Sequence, residues 1–186
     1  MPFHAPPPAA AWTHEDARAG FEVVYFQADN DGQLLIGCTT ALQDGRTWII
    51  DYKIRVDASW TTRSALITGS STLGLRTVLL EHDGQGRWQL DGDPAQHLDG
   101  CFDVDLESSA MTNALPVHRL ALPVGARAAA PAAYVRAEDL RVERLEQEYL
   151  RTASAQPQQH YDYKAPAFDF RCQLVYDQHG LVVRYP

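Results

Sequence analysis

From Gly20 onward, apolar and polar side chains alternate with a period of two, the mark of strands that bury one face of a sheet. Phe21, Val23 and Tyr25 share one face. "NDG" at 30–32 is a turn signal, and Leu34, Ile36 and Cys38 begin the next run. Gly45 marks a second turn, and the clearest alternation follows it. Trp48, Ile50, Tyr52, Ile54 and Val56 point one way, and Thr47, Ile49, Asp51, Lys53, Arg55 and Asp57 the other. Mixed charge on the second set predicts a solvated side. "SWTTRSALITG" and "TLGLRTVLLEH" predict two more strands, the latter ending at the turn "DGQGRW". Late in the chain Phe168, Phe170, Cys172, Leu174 and Tyr176 alternate with Asp169, Arg171, Gln173 and Asp177. "DQHG" then turns into a last strand, "LVVRYP".

Three passages resist this pattern. "AEDLRVERLEQEYLRT", residues 137–152, is rich in helix formers, yet its apolar spacing fits neither period. "CFDVDL", as a strand, sets Asp103 and Asp105 on one face and Phe102, Val104 and Leu106 on the other. That predicts a solvated carboxylate face above a core-facing trio. "LPVHRLAL", as a strand, sets His118, Leu120 and Leu122 against Leu115, Val117 and Arg119, mixing apolar and polar groups on both faces. Either both faces are covered or a polar group lines a cavity. A buried Arg119 needs a carboxylate or carbonyl partner, and Asp103, Asp105 or Asp57 could supply the carboxylate. With no βαβ alternation, the chain reads as all-β or β-dominated α+β, an antiparallel barrel, roll or sandwich. The Pro/Ala-rich first residues predict a loose arm over 1–11 before a single domain over 12–186.

Composition narrows function more than fold. A chain of 186 residues buries enough apolar surface to need no disulfide or structural metal. A net charge of -8 argues against a nucleic-acid partner and against adhesion to an anionic membrane. Cys38, Cys101 and Cys172 are widely spaced, with no CxxC, and read as free buried thiols. The first residues carry no basic and apolar leader, and no run of roughly 18 apolar residues occurs, so the expectation is a cytoplasmic protein with no integral membrane association. The histidines form no HxH or HExxH, and there is no GxSxG, GxGxxG or Walker loop. No catalytic residue, metal or cofactor is therefore assigned.

"DVDLESSAMTNALPVHRL" resembles the signature of the bacterial "putative glycolipid-binding" family, long carried as a domain of unknown function. Its acidic strand, its Thr112-Asn113 pair and its Leu115-Pro116-x-x-Arg119-Leu120 run all fit. "VDASWTTR", "DGQGRWQLDG", "QEYLR" and "YDQHGLVVRYP" agree in order along nearly the whole chain. The resemblance implies a single curled antiparallel sheet, a spiral β-roll or incomplete barrel with a hollow, similar to lipoprotein- and lipid-carrier proteins. It also implies that residues 140–150 are extended. The carriers are exported, and this chain shows no export signal.

The leading expectation is non-enzymatic binding of an amphipathic, lipid-like or glycolipid-like small molecule in that hollow. Tyr52, Trp60, Arg63, His118 and Arg119 are its candidate ligand contacts, with Tyr52, Trp60, Arg63 and His118 expected to border one pocket. Asp103, Asp105, Thr112, Asn113 and Pro116 read as a structural motif, in which Thr112 and Asn113 bond nearby backbone and Pro116 marks a sheet edge or bulge. A small hydrolase or isomerase using Asp103 or Asp105 with His118 and Arg119 is the alternative. A protein-interaction module with an exposed sheet edge is a third. Ligand identity and oligomeric state are not legible in the sequence.

Overall fold

The structure, a computed structural model, describes residues 3–14, 18–29, 31–153 and 157–184. Strand makes up 58% of it and helix 9%, which places it in the β-dominated class. Eight strands follow one another as an antiparallel meander, each paired to the next: β1 (Ala9–His14), β2 (Ala19–Asp29), β3 (Gly32–Gln43), β4 (Arg46–Asp57), β5 (Thr62–Ser71), β6 (Gly74–His82), β7 (Trp88–Leu90) and β8 (Asp93–Pro94). The remaining strands are β9 (Asp103–Leu106), β10 (Arg127–Ala129), β11 (Ala132–Val135), β12 (Val142–Leu145), β13 (Glu148–Thr152), β14 (Gln159–Ala165), β15 (Phe170–Tyr176) and β16 (Val182–Arg184). An antiparallel sheet runs β10-β13-β14-β15-β16. A small sheet runs β12-β11-β9, with β9 and β11 parallel. None of the sheets closes into a barrel.

The inner face of the meander is set by β4. Trp48, Ile50, Tyr52, Ile54 and Val56 are all buried, as their alternation predicts. Gln43 pairs with Arg46 across Asp44 and Gly45, both at positive φ (51° and 75°), a tight two-residue hairpin. Opposed residues share a face, so Tyr52 opposite Gly37, and Gly37 opposite Val24, carry the inner face across to β2. Glu22, Val24 and Phe26 therefore point inward. The face of Phe21 and Tyr25 points outward, with those two side chains 52% and 56% exposed. Only glycine fits at position 37, because a Cβ there would come within 2.3 Å of the Tyr52 phenol, which lies across β3.

Several expectations are corrected here. "LPVHRLAL" is a helix, α1 (Ala114–Leu120), entered through a 3-10 turn over Met111–Asn113 and left through Ala121 at φ 44°. Pro116 sits in the first turn of α1, where an N–H has no intrahelical partner to lose, and so marks neither a sheet edge nor a bulge. Phe168 belongs to a 3-10 turn before β15 and is exposed; along β15 burial deepens from Phe170 to Tyr176. The arm boundary at residue 11 falls inside β1, and residues 3, 4 and 8 before it are tied down. His4 N–H donates to the Gln178 carbonyl and Phe26 N–H to that of Pro8, and Phe3 packs on His118. Residues 142–145 and 148–152 are extended, because ladders to β11 and β14 outweigh local helix propensity.

The buried side chains form two clusters. Aliphatic residues and tryptophans of the meander pack with Val104, Met111 and Leu115. Tyr149, Tyr161, Tyr163 and Tyr176 pack with Val117, Leu145 and Leu174. The strip 103–120 lies between, contributing to both. Cys38, Cys101 and Cys172 are free thiols; Cys101 is buried, and the other two are half-buried. No helix among the described residues is long and apolar enough to cross a membrane.

Candidate functional site

Strands β1 and β16 are edges of their respective sheets, and the seam between them is held by Trp12, whose Nε1–H donates to the Val182 carbonyl at 2.5 Å. Along this seam opens a cleft of about 880 Å³, within the usual size range of small-molecule sites. Residues 10–14 of β1 and 181–183 around β16 form its sides. Tyr163, Phe168 and Phe170 supply aromatic surface, Arg18 and Arg136 positive charge, and Ser108, Ser109 and Ala110 part of its lining.

That loop is pinned from the core side by one carboxylate. Glu22 is 0% exposed. Its Oε1 accepts from Tyr52 Oη (2.8 Å) and Ser109 Oγ (2.6 Å), its Oε2 from the N–H groups of Ala110 (2.6 Å) and Met111 (3.1 Å). Burial pushes the Glu22 carboxyl above its ordinary range, against the pull of all four bonds. Thr39 Oγ1 donates to the Ser108 carbonyl, and Trp48 Nε1 and Arg18 Nη1 donate to Ser108 Oγ at 3.1 and 2.5 Å. Thr112 Oγ1 accepts from Leu106 N–H, and Asn113 Nδ2 donates to the Ser109 carbonyl.

On β9 Asp103 is covered and Asp105 is half-buried beside the cleft, not solvated as expected, because α1 and the chain before β13 close over the strand. Asp103, 1% exposed, receives both arms of Arg119: Nε to Oδ1 at 3.0 Å and Nη2 to Oδ2 at 2.6 Å. The guanidinium also lies over the Phe102 ring, 5.3 Å from its centre. Of the three acids weighed for Arg119, Asp103 is the partner. Asp105 receives Thr112 Oγ1 and Gln147 Nε2 and lines the cleft. Burial raises both acids, Asp105 to about 6.

The residues expected to share a pocket are scattered. Tyr52 is inside the first core, turned toward Glu22. Trp60 and His118 do meet, stacked with ring centres 3.7 Å apart. Burial lowers His118 to about 4, and its neutral Nε2–H donates to the His179 carbonyl at 2.9 Å. Arg63 is directed to the Asp83 carbonyl and to Asp57, and Arg119 to Asp103. None of Tyr52, Trp60, Arg63, His118 or Arg119 lines the cleft. The helix turns His118 onto Trp60, away from the cleft. Nor does a hydrogen bond join His118 to Asp103 or Asp105, the geometry a hydrolase or isomerase built on them requires. Among the described residues no group of His, Cys, Asp and Glu gathers as a metal site.

Sequence reasoning missed Trp12, Arg18, Glu22, Tyr134 and Arg136. For Glu22 a signal existed: the two-residue hairpin after Gln43 carries the face of Tyr52 to it through the register.

The chain matches the family described as "Putative glycolipid-binding" over residues 9–186, and it belongs to that family. It is similar in structure to a crystallised DUF1089 family protein from Pseudomonas aeruginosa. The two share 31% identity and a TM-score of 0.75 over 94% of this chain and 92% of that one. Among curated proteins none matches.

Proposed function

We propose that this member of the family binds one amphipathic small molecule, lipid-like or glycolipid-like, in the seam cleft, and carries rather than transforms it. The observation that supports this reading is the mixed lining of the cleft, aromatic surface together with polar groups. Trp12 has spent its one donor on Val182, so its ring offers apolar surface, continued by Tyr163, Phe168 and Phe170. Arg18, Ser108 and Arg136 offer polar groups within the same cavity. An alkyl chain on the first set and a polar head on the second would satisfy both.

The test uses two detergents sharing one tail, dodecyl maltoside and dodecyl phosphate, added below their micellar concentrations and followed by tryptophan fluorescence. At least one should give a saturable one-to-one response, and in Trp12→Ala, followed by calorimetry because the reporter is gone, the binding should be lost with far-UV circular dichroism unchanged. No one-to-one response to either detergent, or an undiminished response in folded Trp12→Ala, rejects the cleft as the site.

A further inference from the structure

Resting on that reading of the cleft, we infer that its ligand carries an anionic head: a phosphate, sulfate or carboxylate on an apolar tail, held by Arg18 and the Tyr134 hydroxyl.

The inference comes from which polar groups of the cleft are already matched. Its carboxylates are engaged. Asp105 receives Thr112 and Gln147; Glu107 receives Ala137 N–H at 2.8 Å and faces Arg136; Asp177 receives the N–H groups of His179 and Leu181. His14 Nε2 is engaged with Thr39 Oγ1, and burial with the nearby Arg18 charge lowers its pKa, so it adds no second cation at neutral pH.

What is left over is donors. Arg18 forms one hydrogen bond, to Ser108 Oγ, and no ion pair among the described residues. Tyr134 is only 8% exposed, yet its hydroxyl bonds to no described residue while its ring lines the cleft. Burial pushes its pKa up, so the hydroxyl keeps its proton and can donate. Beside it, Arg136 stacks its guanidinium over the Tyr134 and Phe168 rings at 5.1 and 5.3 Å, and its Nε is buried without a partner. A neutral sugar brings hydroxyl donors as well as acceptors, and Arg18 has no acceptor to offer those donors. An anionic head brings acceptors alone and suits the guanidinium geometry of Arg18.

Titration calorimetry with dodecyl phosphate, dodecyl maltoside and inorganic phosphate separates the outcomes. Dodecyl phosphate should bind tighter than dodecyl maltoside by about ten-fold or more, the span of one charge-assisted hydrogen bond. Arg18→Gln and Tyr134→Phe should each shrink that preference; the second keeps the ring, so folding is not at issue. Equal affinity for the two detergents overturns the anionic head and leaves the cleft reading standing. Failure of both detergents overturns the cleft reading itself. Inorganic phosphate displacing dodecyl phosphate at equal concentration would mean a free-anion site, and overturns the amphiphile.

Discussion

Glu22 and Asp103 are two buried carboxylates that face the same strip of chain and are accommodated by opposite means. Asp103 is matched by a cation, in the two-armed grip of Arg119. Glu22 is matched by two hydroxyls and two backbone N–H groups, with no cation bonded to it among the described residues. The first arrangement depends on a particular charge and holds α1 against β9. The second depends on acceptor oxygens in a particular place and holds residues 109–111, of which Ser109 and Ala110 line the cleft. Fold stability should therefore depend on both, and ligand binding mainly on the second.

The largest expected effect breaks the first. Arg119→Ala strands a buried charge and should cost roughly 3–5 kcal/mol in chemical denaturation. Arg119→Lys should recover only part of it, since an ammonium cannot reproduce the two-armed contact. A loss near zero would mean that Asp103 needs no cation, and the contrast with Glu22 would vanish.

Next is Glu22. Glu22→Ala leaves two N–H groups without acceptors, and the two hydroxyls must find others, for a cost of roughly 2–4 kcal/mol. Glu22→Gln should cost less than about 1.5 kcal/mol, because an amide can turn its oxygen to the N–H pair and its nitrogen to hydroxyl oxygens that are able to accept. Urea midpoints of the two variants decide the matter. If the glutamine variant is as unstable as the alanine variant, the negative charge is required, and neutral donors are not an adequate account.

Asp105 is the intermediate case, with two neutral donors and no cation, and it carries the smallest effect. Burial raises its pKa from 3.8 to about 6. Since the folded value lies above the unfolded one, the stability linked to this group is fully present below 3.8 and is lost as pH rises through about 6. Asp105→Asn should flatten that part of the stability curve, by roughly 3 kcal/mol at most relative to the parent chain between acid and neutral pH. Melting temperatures of both proteins across that window would reveal it; parallel curves would show that Asp105 does not titrate there.

The legible parts of the molecule are those where one period dominates. On β4 the alternation is strict, and all five inward residues were readable. On β2 the run "FEVVYF" is apolar on both faces, so periodicity alone cannot choose between Glu22 and Phe21. Only the register carried from β4 through the hairpin decides. The helix α1 has seven residues, too few for its period to stand out from a strand's. The need of a buried Arg119 for a carboxylate or carbonyl partner was still readable, because it follows from the chemistry of the side chain and not from the element that carries it. The cleft was not readable. Its walls come from β1, from the loop after β9, from β11 and from residues 163–183, and no local pattern encodes their meeting at a seam between two sheet edges.

The most direct test of the cleft uses nitrogen-15 NMR on the uniformly labelled protein titrated with dodecyl phosphate, read at the indole N–H groups of Trp12 and Trp60. Trp12 stands in the seam; Trp60 stacks on His118, outside it. Occupation of the cleft predicts a saturable shift of the Trp12 indole, together with the amides of Ser108, Ser109 and Ala110, while the Trp60 indole stays in place. A saturable shift at Trp60 with Trp12 unmoved would contradict it and move the binding site to the Trp60–His118 stack.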